Sequence, residues 1–173
     1  MEYAVVLYFD QASENKLLDL MKKLVDGGMN DYMIKNKIPP HITLTVFRKE
    51  DDLGIKQIVQ EFATRLYRQE VFFSSIGVFN PRVIFLASVM NEFLLNACVQ
   101  INKAMQACTS DFASIYLPNQ WVPHVALGVR LEANELTNAF GVLQKEFTTF
   151  QAMVAKVAVI ECNPYRDICC FDL

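Results

Sequence analysis

The stretch "IPPHITLTV" at residues 38–46 decides the fold, because an altered copy of it, "WVPHVALGV", stands at residues 121–129. Four positions are identical in the two copies, each shifted by 83 residues: Pro40, His41, Leu44 and Val46 match Pro123, His124, Leu127 and Val129. The pair Asn80-Pro81 recurs as Asn163-Pro164 at the same shift. The chain has only two histidines, and both directly follow a proline. This repetition indicates an internal duplication rather than two unrelated strands that happen to begin with Pro-His.

Length and composition favour one domain over residues 1–173, since 53% of the residues are hydrophobic and such a chain buries one sizeable core. The net charge of −3 argues against binding to long duplex nucleic acid, which requires clustered Lys and Arg. The apolar run near the N-terminus is too short to cross a membrane, and we expect it to be a strand. The five cysteines lack CxxC spacing, which indicates reduced thiols and a cytoplasmic location. We expect a monomer.

Strands and helices alternate along the sequence, which predicts an α+β fold. Strands are predicted at 3–9, 41–47, 71–79, 82–89 and 122–130, with two more on either side of Asn163-Pro164. Apolar residues at helical spacing predict four helices: one capped by Ser13 and ended by Gly27-Gly28, one opened by Asp51 and Asp52, one capped by Asn91, and one begun by Asn134.

The repeated strands carry a polar pair on one side. Alternate residues of a strand project from the same side, so His41 and Thr43 point together while Ile42, Leu44 and Val46 point into the opposite layer. If two similar lobes meet about a pseudo-twofold axis, His41 and His124 face each other across a groove that can hold a phosphate. An imidazole titrates near pH 6.5, so near neutral pH one ring can accept a proton while the other donates one. This arrangement predicts a general base and a general acid for a phosphodiester, and the scheme requires no metal.

"PHITL" and "PHVAL", one in each half of the chain, resemble the motifs of the two-histidine phosphoesterase superfamily, which includes 2′-5′ RNA ligases and RNA 2′,3′-cyclic phosphodiesterases. The resemblance implies a bilobal, internally duplicated α+β fold, with two antiparallel sheets that face a central cleft and helices outside. It also implies that His41 and His124 are catalytic and that Thr43 binds the phosphate. The family pattern is His, any residue, then Thr or Ser in each motif, and Ala126 departs from it.

The predicted function is therefore a metal-independent phosphodiesterase without a cofactor. Its substrate would be a 2′,3′-cyclic phosphate or 2′,5′-phosphodiester in an RNA end or a small nucleotide. A hydroxyl that donates to a charged phosphate contributes about 1.5–3 kcal/mol, so Ala126 could mean a slower enzyme or a bulkier substrate. One alternative is a non-catalytic nucleotide- or phosphate-binding protein, and another is an adaptor domain with a degenerate cleft. The physiological substrate, the direction of reaction and the identity of the general base stay open.

Other polar and aromatic residues have simpler interpretations. Trp121 could stack on a base, but we expect it to pack in the interior. The cations near the first motif are expected to be solvated loop residues: Lys35, Lys37, Arg48 and Lys49. Two histidines without a cysteine or carboxylate at ligand spacing do not make a zinc site. Four residues could replace the missing hydroxyl, but the sequence does not place them: Thr45, Ser114, Tyr116 and Tyr165.

Overall fold

The computed structural model describes residues 1–51, 53–80 and 82–173, and within these it contains seven strands and five helices. In chain order they are β1 (Glu2–Phe9), α1 (Gln11–Asp26), α2 (Tyr32–Lys35), β2 (His41–Arg48), α3 (Ile55–Ala63), β3 (Gln69–Phe79), β4 (Val83–Ser88), α4 (Glu92–Met105), β5 (His124–Gly128), α5 (Ala133–Glu146), β6 (Phe150–Cys162) and β7 (Tyr165–Asp172). The predicted α+β fold class is confirmed. Asp52 and Pro81, which were predicted to open a helix and form a turn, lie outside the described residues.

All the strands pair antiparallel in one sheet, in the order β1-β2-β5-β4-β3-β6-β7. The long strand β6 pairs with β3 through residues 150–154 and with β1 through residues 154–161, so the sheet curls back on itself. The two antiparallel sheets expected from the sequence are thus joined into one continuous sheet. They are joined both by the contact of β2 with β5 and by β6, which pairs with β1 as well as with β3.

The order of elements in the first half recurs in the second half. Apart from the short helix α2, the series β1, α1, β2, α3, β3 is followed at a similar spacing by β4, α4, β5, α5, β6, and β7 then follows β6 as β4 follows β3. Strands β2 and β5 pair at Ile42 and Val125, which are themselves 83 positions apart. The two copies of the repeated phrase therefore run antiparallel beside each other. This arrangement supports the duplication that we inferred from the sequence.

The caps of two helices can be compared with prediction. Asn91 caps α4 as predicted, and its side chain accepts a hydrogen bond from the Leu94 N–H at 2.9 Å. For α1 the predicted cap, Ser13, is wrong. The helix begins three residues earlier because the carboxylate of Asp10 accepts from the Ser13 N–H at 2.9 Å.

Two further helix starts also differ from prediction. Helix α3 begins after Gly54 and not at Asp51. The φ of Gly54 is 80°, a backbone conformation that glycine adopts without strain. Helix α5 begins after Glu132, which forms a capping box with Glu135 and replaces the predicted start at Asn134. The four-residue helix α2 was not predicted, because one turn shows no periodicity.

The main core lies between the sheet and the helices. Ile42 and Leu44 of β2 and Val125 and Leu127 of β5 are 0% exposed there, as the alternation of the strands predicted. The opposite side of the sheet carries a smaller apolar cluster: Ala4, Val6, Val46, Ala158 and Ile160. The predicted position of Val46 in the main core is wrong, because the register between β1 and β2 shifts at Leu44 and reverses the alternation beyond it. No helix in the described part of the chain has both the length and the apolar character needed to cross a bilayer. The helices thus cover one side of the sheet, and the other side holds a cleft.

Candidate active site

A cleft of about 870 Å³ lies on the side of the sheet that carries the smaller apolar cluster. Its walls include His41 and Thr43 from β2 and His124 and Ala126 from β5. The structure therefore brings all three predicted site residues to one cavity. The residue that departs from the family pattern lies there with them. We call this cavity the central cleft.

The register of β2 and β5 fixes how the two motifs face each other. Extending it by one residue from the Ile42–Val125 pair places Thr43 opposite His124 and His41 opposite Ala126. Directly opposed residues of antiparallel strands have Cβ atoms about 4.5–5.5 Å apart. His124 thus has a hydroxyl across from it, whereas His41 faces a methyl group.

The two imidazoles are anchored in the same way. His41 Nδ1 lies 2.7 Å from the carbonyl oxygen of Pro39, and His124 Nδ1 lies 2.7 Å from that of Val122. A carbonyl oxygen only accepts, so Nδ1 carries the hydrogen in both rings. In the neutral imidazole, Nε2 is then the nitrogen that can take up a proton.

His124 lies among aromatic rings and is only 8% exposed. Its ring centroid is 4.8 Å from that of Phe79 and 5.1 Å from that of Phe85, and these two phenyl rings stack on each other. Gly77 permits this packing, because a Cβ there would collide with the ring of Phe85. Burial lowers the pKa of His124, although its hydrogen bond to Val122 opposes the effect.

His41 has more polar surroundings. The Tyr8 ring packs edge-on against it, with centroids 6.2 Å apart. Burial lowers the pKa of His41, while the hydrogen bond to Pro39 and the charge of Asp167 act in the opposite direction. Charge on His41 in turn lowers the pKa of His124, which shows that the two rings interact electrostatically.

Tyr116 brings a second hydroxyl to the Thr43 side of the central cleft. Its phenol faces the Thr43 side chain, which acts to lower the pKa of Tyr116, and its ring stacks on His124 with centroids 6.4 Å apart. Burial raises the pKa of Tyr116, so the phenol keeps its proton at neutral pH. Of the four residues suggested as replacements for the missing hydroxyl, Tyr116 and Tyr165 line the cleft.

A buried polar network holds these groups in place. The Asn102 amide accepts from the Thr45 hydroxyl at 2.9 Å and donates to the Leu44 and Tyr116 carbonyl oxygens at 3.3 Å. Thr45 therefore has a structural contact and does not reach the cleft. Trp121 is buried, as predicted, and its Nε1 donates to the Thr43 carbonyl oxygen at 2.9 Å.

Two arginines that the sequence analysis missed line the cleft. Arg130, at φ 59°, holds its guanidinium 4.1 Å from the centre of the Tyr32 ring. Arg82 lines the same region and pairs with Glu132 at 3.0 Å. Both arginines lie just beyond strand ends, and no motif marks them in the sequence.

The cations singled out from the sequence do not line the central cleft. Lys35 and Lys37 are exposed, and Arg48 pairs with Glu2 at 3.3 Å. Lys49 pairs with Asp51. Among residues 1–51, 53–80 and 82–173, no group of three or more His, Cys, Asp or Glu side chains is arranged to hold a metal ion.

Comparison with known proteins identifies a family. The sequence profile of the 2′-5′ RNA ligase superfamily matches residues 10–164. No curated protein sequence gives a significant match. Similar solved structures include TT0787 of Thermus thermophilus, at 14% identity and a TM-score of 0.60, covering 100% of this chain and 98% of that one. E. coli LigT complexed with 3′-AMP has 11% identity and a TM-score of 0.53, covering 99% and 97%. Usb1 of Kluyveromyces marxianus has 11% identity and a TM-score of 0.50, again covering 99% and 97%.

The lowered pKa values of His41 and His124 make stability depend on pH. An unfolded imidazole takes up a proton near pH 6.5, whereas the folded rings do so only at lower pH. Between these values the unfolded state binds more protons, so the free energy of unfolding falls as the pH is lowered from about 7.5 through 6.5. Urea denaturation at a series of pH values measures this slope.

The double variant His41→Asn, His124→Asn is the control for that slope. Each asparagine keeps an amide N–H for the Pro39 or Val122 carbonyl but does not titrate. We expect its free energy of unfolding to change little with pH in the same window. A wild-type protein that becomes more stable on acidification from about pH 7.5 to 6 would contradict the burial of the two rings.

Proposed function

Since the chain belongs to the 2′-5′ RNA ligase superfamily, we propose that it is a metal-independent phosphodiesterase that acts on a 2′,3′-cyclic phosphate or 2′,5′-phosphodiester. The substrate is an RNA end or a small nucleotide. The observation that carries the proposal is the presence of His41 and His124 on the walls of one cleft, each with Nδ1 bound to a backbone carbonyl. That contact leaves both Nε2 atoms for proton transfer.

The mechanism is general acid–base catalysis. One neutral imidazole takes a proton from the attacking water or ribose hydroxyl while the oxygen bonds to phosphorus. The other, charged imidazole protonates the oxygen that leaves on the opposite side. The interaction between the rings favours this division, because a proton on His41 makes His124 harder to protonate. The state in which both rings are charged is thereby disfavoured.

The phosphate is proposed to lie between the two imidazoles. The Thr43 hydroxyl faces His124 and would donate to a phosphate oxygen. The phenol of Tyr116, near Thr43, supplies a second neutral donor in this part of the cleft. Arg82 and Arg130 line the cleft farther along and add positive charge that attracts an anion.

The size and walls of the central cleft support a small or terminal substrate. Its volume of about 870 Å³ falls within the range of about 300–1,000 Å³ for small-molecule sites. Much of the wall is apolar or aromatic, including Tyr32, Ile38 and Phe79, which suits a nucleobase. Long duplex nucleic acid does not fit such a cavity.

Because Ala126 lacks the hydroxyl of the family pattern, a second candidate function is a nucleotide- or phosphate-binding protein without turnover. His41 faces a methyl group where the other motif supplies a hydroxyl. Binding of a 2′,3′-cyclic nucleotide with release of product supports the enzyme. Heat of binding in calorimetry with an unchanged ligand supports the binding protein.

Replacing either histidine tests the catalytic roles. We expect His41→Asn and His124→Asn each to lower kcat/KM for 2′,3′-cyclic nucleotides about 10²–10⁴-fold, because each removes a proton-transfer group. The wild-type rate should follow a bell-shaped pH profile and be equal with and without EDTA. Chromatography of the nucleoside monophosphate product measures the rates of the variants, the pH profile and the effect of EDTA.

Urea unfolding of both variants at about pH 7.5 shows whether they retain the fold. A folded His41→Asn or His124→Asn protein with wild-type kcat/KM would exclude the two-histidine mechanism. Activity that appears only after a divalent metal is added would exclude the metal-independent reaction.

Restoring the missing hydroxyl tests the role of position 126. A hydrogen bond to a charged phosphate is worth about 1.5–3 kcal/mol, or about 10- to 100-fold in rate. We therefore expect Ala126→Thr to raise kcat/KM by about 10-fold, the lower end of this range. Ala126→Val is the matched control, because it has the shape of threonine without the hydroxyl, and it should give no gain. Equal rates for the two variants would show that position 126 does not contact the phosphate.

A further inference from the structure

Three side chains form a hydrogen-bonded group beside the central cleft, and neither catalytic motif contains them; one of the three, Tyr165, lines the cleft. The hydroxyls of Tyr8 and Tyr165 are 2.5 Å apart. Tyr8 also donates to Asp167 Oδ1 at 2.8 Å, and the Tyr165 hydroxyl lies 3.4 Å from the same oxygen. Burial raises the pKa of Tyr165 to about 12 and raises that of Tyr8 as well. Both phenols are therefore neutral near pH 7, and the negative charge of the group resides on Asp167.

This group of three side chains lies next to His41. Tyr8 pairs with His41 in the ladder between β1 and β2, and its ring packs edge-on against the imidazole. Tyr165 and Asp167 are on β7, which lies beside β6 in the sheet. The hydrogen bonds from Tyr8 and Tyr165 hold the Asp167 carboxylate on the His41 side of the cleft.

The surroundings of His124 differ chemically from those of His41. Its ring contacts Phe79, Phe85 and Tyr116. The charged group that affects its pKa is His41, whose positive charge lowers it. For His41 the corresponding charge is that of Asp167, which raises its pKa against the effect of burial. The two imidazoles have the same backbone anchor but opposite electrostatic neighbours.

We propose that Tyr8, Tyr165 and Asp167 form a positioning triad that places a negative charge beside His41, so that His41 is the proton donor of the pair and His124 the acceptor. In hydrolysis of a cyclic phosphate, His124 Nε2 takes a proton from water as the water oxygen bonds to phosphorus. His41 Nε2–H protonates the ribose oxygen as its bond to phosphorus breaks. The two rings thereby exchange protonation states. These roles rest on the proposed phosphodiesterase activity, whereas the effect of the triad on His41 does not.

Nuclear magnetic resonance titration of the two imidazoles tests the triad in the full chain without a substrate. The signals are assigned with His41→Asn and His124→Asn, since the chain has only two histidines. In the wild type we expect His41 to take up its proton at higher pH than His124. Asp167→Asn keeps the size and an acceptor oxygen but removes the charge, so the pKa of His41 should fall. Tyr8→Phe, which removes the donor to Asp167, should lower it in the same direction.

Asp172→Asn is the matched control, because Asp172 is an exposed carboxylate on the same strand as Asp167. Asp172 pairs with Lys156 at 3.8 Å. It should leave both imidazole titrations unchanged. A wild-type His124 that titrates above His41 would overturn the proposal. Equal shifts of His41 in Asp167→Asn and Asp172→Asn would also overturn it, since any carboxylate on β7 would then serve.

The pH profile of kcat/KM separates the triad from the proposed activity. If His41 is the acid, Asp167→Asn moves the alkaline limb to lower pH and leaves the acid limb in place. Movement of the acid limb alone would reverse the assigned roles. If the titration shifts occur as expected but no turnover is detected, the triad is supported and the phosphodiesterase activity is excluded. The two failures are therefore distinguishable.

Discussion

The antiparallel pairing of β2 with β5 at Ile42 and Val125 is the contact on which the central cleft depends. Both residues are 0% exposed in the main core, and full burial of such a side chain contributes about 1.5–3 kcal/mol. A slip of one residue in either strand would move these side chains to the cleft and its polar residues to the core. The burial of Ile42 and Val125 therefore fixes where His41 and His124 point.

The same pairing creates an unequal site from two similar motifs. Each histidine begins a strand and binds a backbone carbonyl two residues earlier. Beyond that anchor the halves diverge: packed phenyl rings surround His124, while phenols and a carboxylate lie beside His41. Such a difference would assign the acid and the base to particular rings, whereas a perfectly repeated site would leave the two roles interchangeable. The loss of a hydroxyl at Ala126 is a second departure from symmetry.

Local sequence patterns predicted much of this structure. The alternation in "HITLTVF" correctly separated the core side of β2 from its cleft side as far as Leu44, and the repeat placed both motifs at the walls of one cavity. The prediction was wrong for Val46, because a shift of register at Leu44 reverses the alternation. The cap of α1 was wrong because Asp10 and Ser13 both suit that role, and only the structure shows which one accepts the hydrogen bond. The joining of the two expected sheets was missed because it depends on the short contact of β2 with β5 and on the pairing of β6 with both β1 and β3, and no local pattern reports either. Tyr8 and Tyr165 meet across 157 positions of sequence, and no local pattern reports such a contact.

A crystal structure of the protein with bound phosphate tests most directly whether two imidazoles converge on one anion. The account predicts a single phosphate in the central cleft, with oxygens about 2.6–3.2 Å from the Nε2 atoms of both His41 and His124. The Thr43 hydroxyl should donate to the same anion. A phosphate held by only one histidine, or bound at Arg82 and Arg130 with neither imidazole in reach, would contradict it.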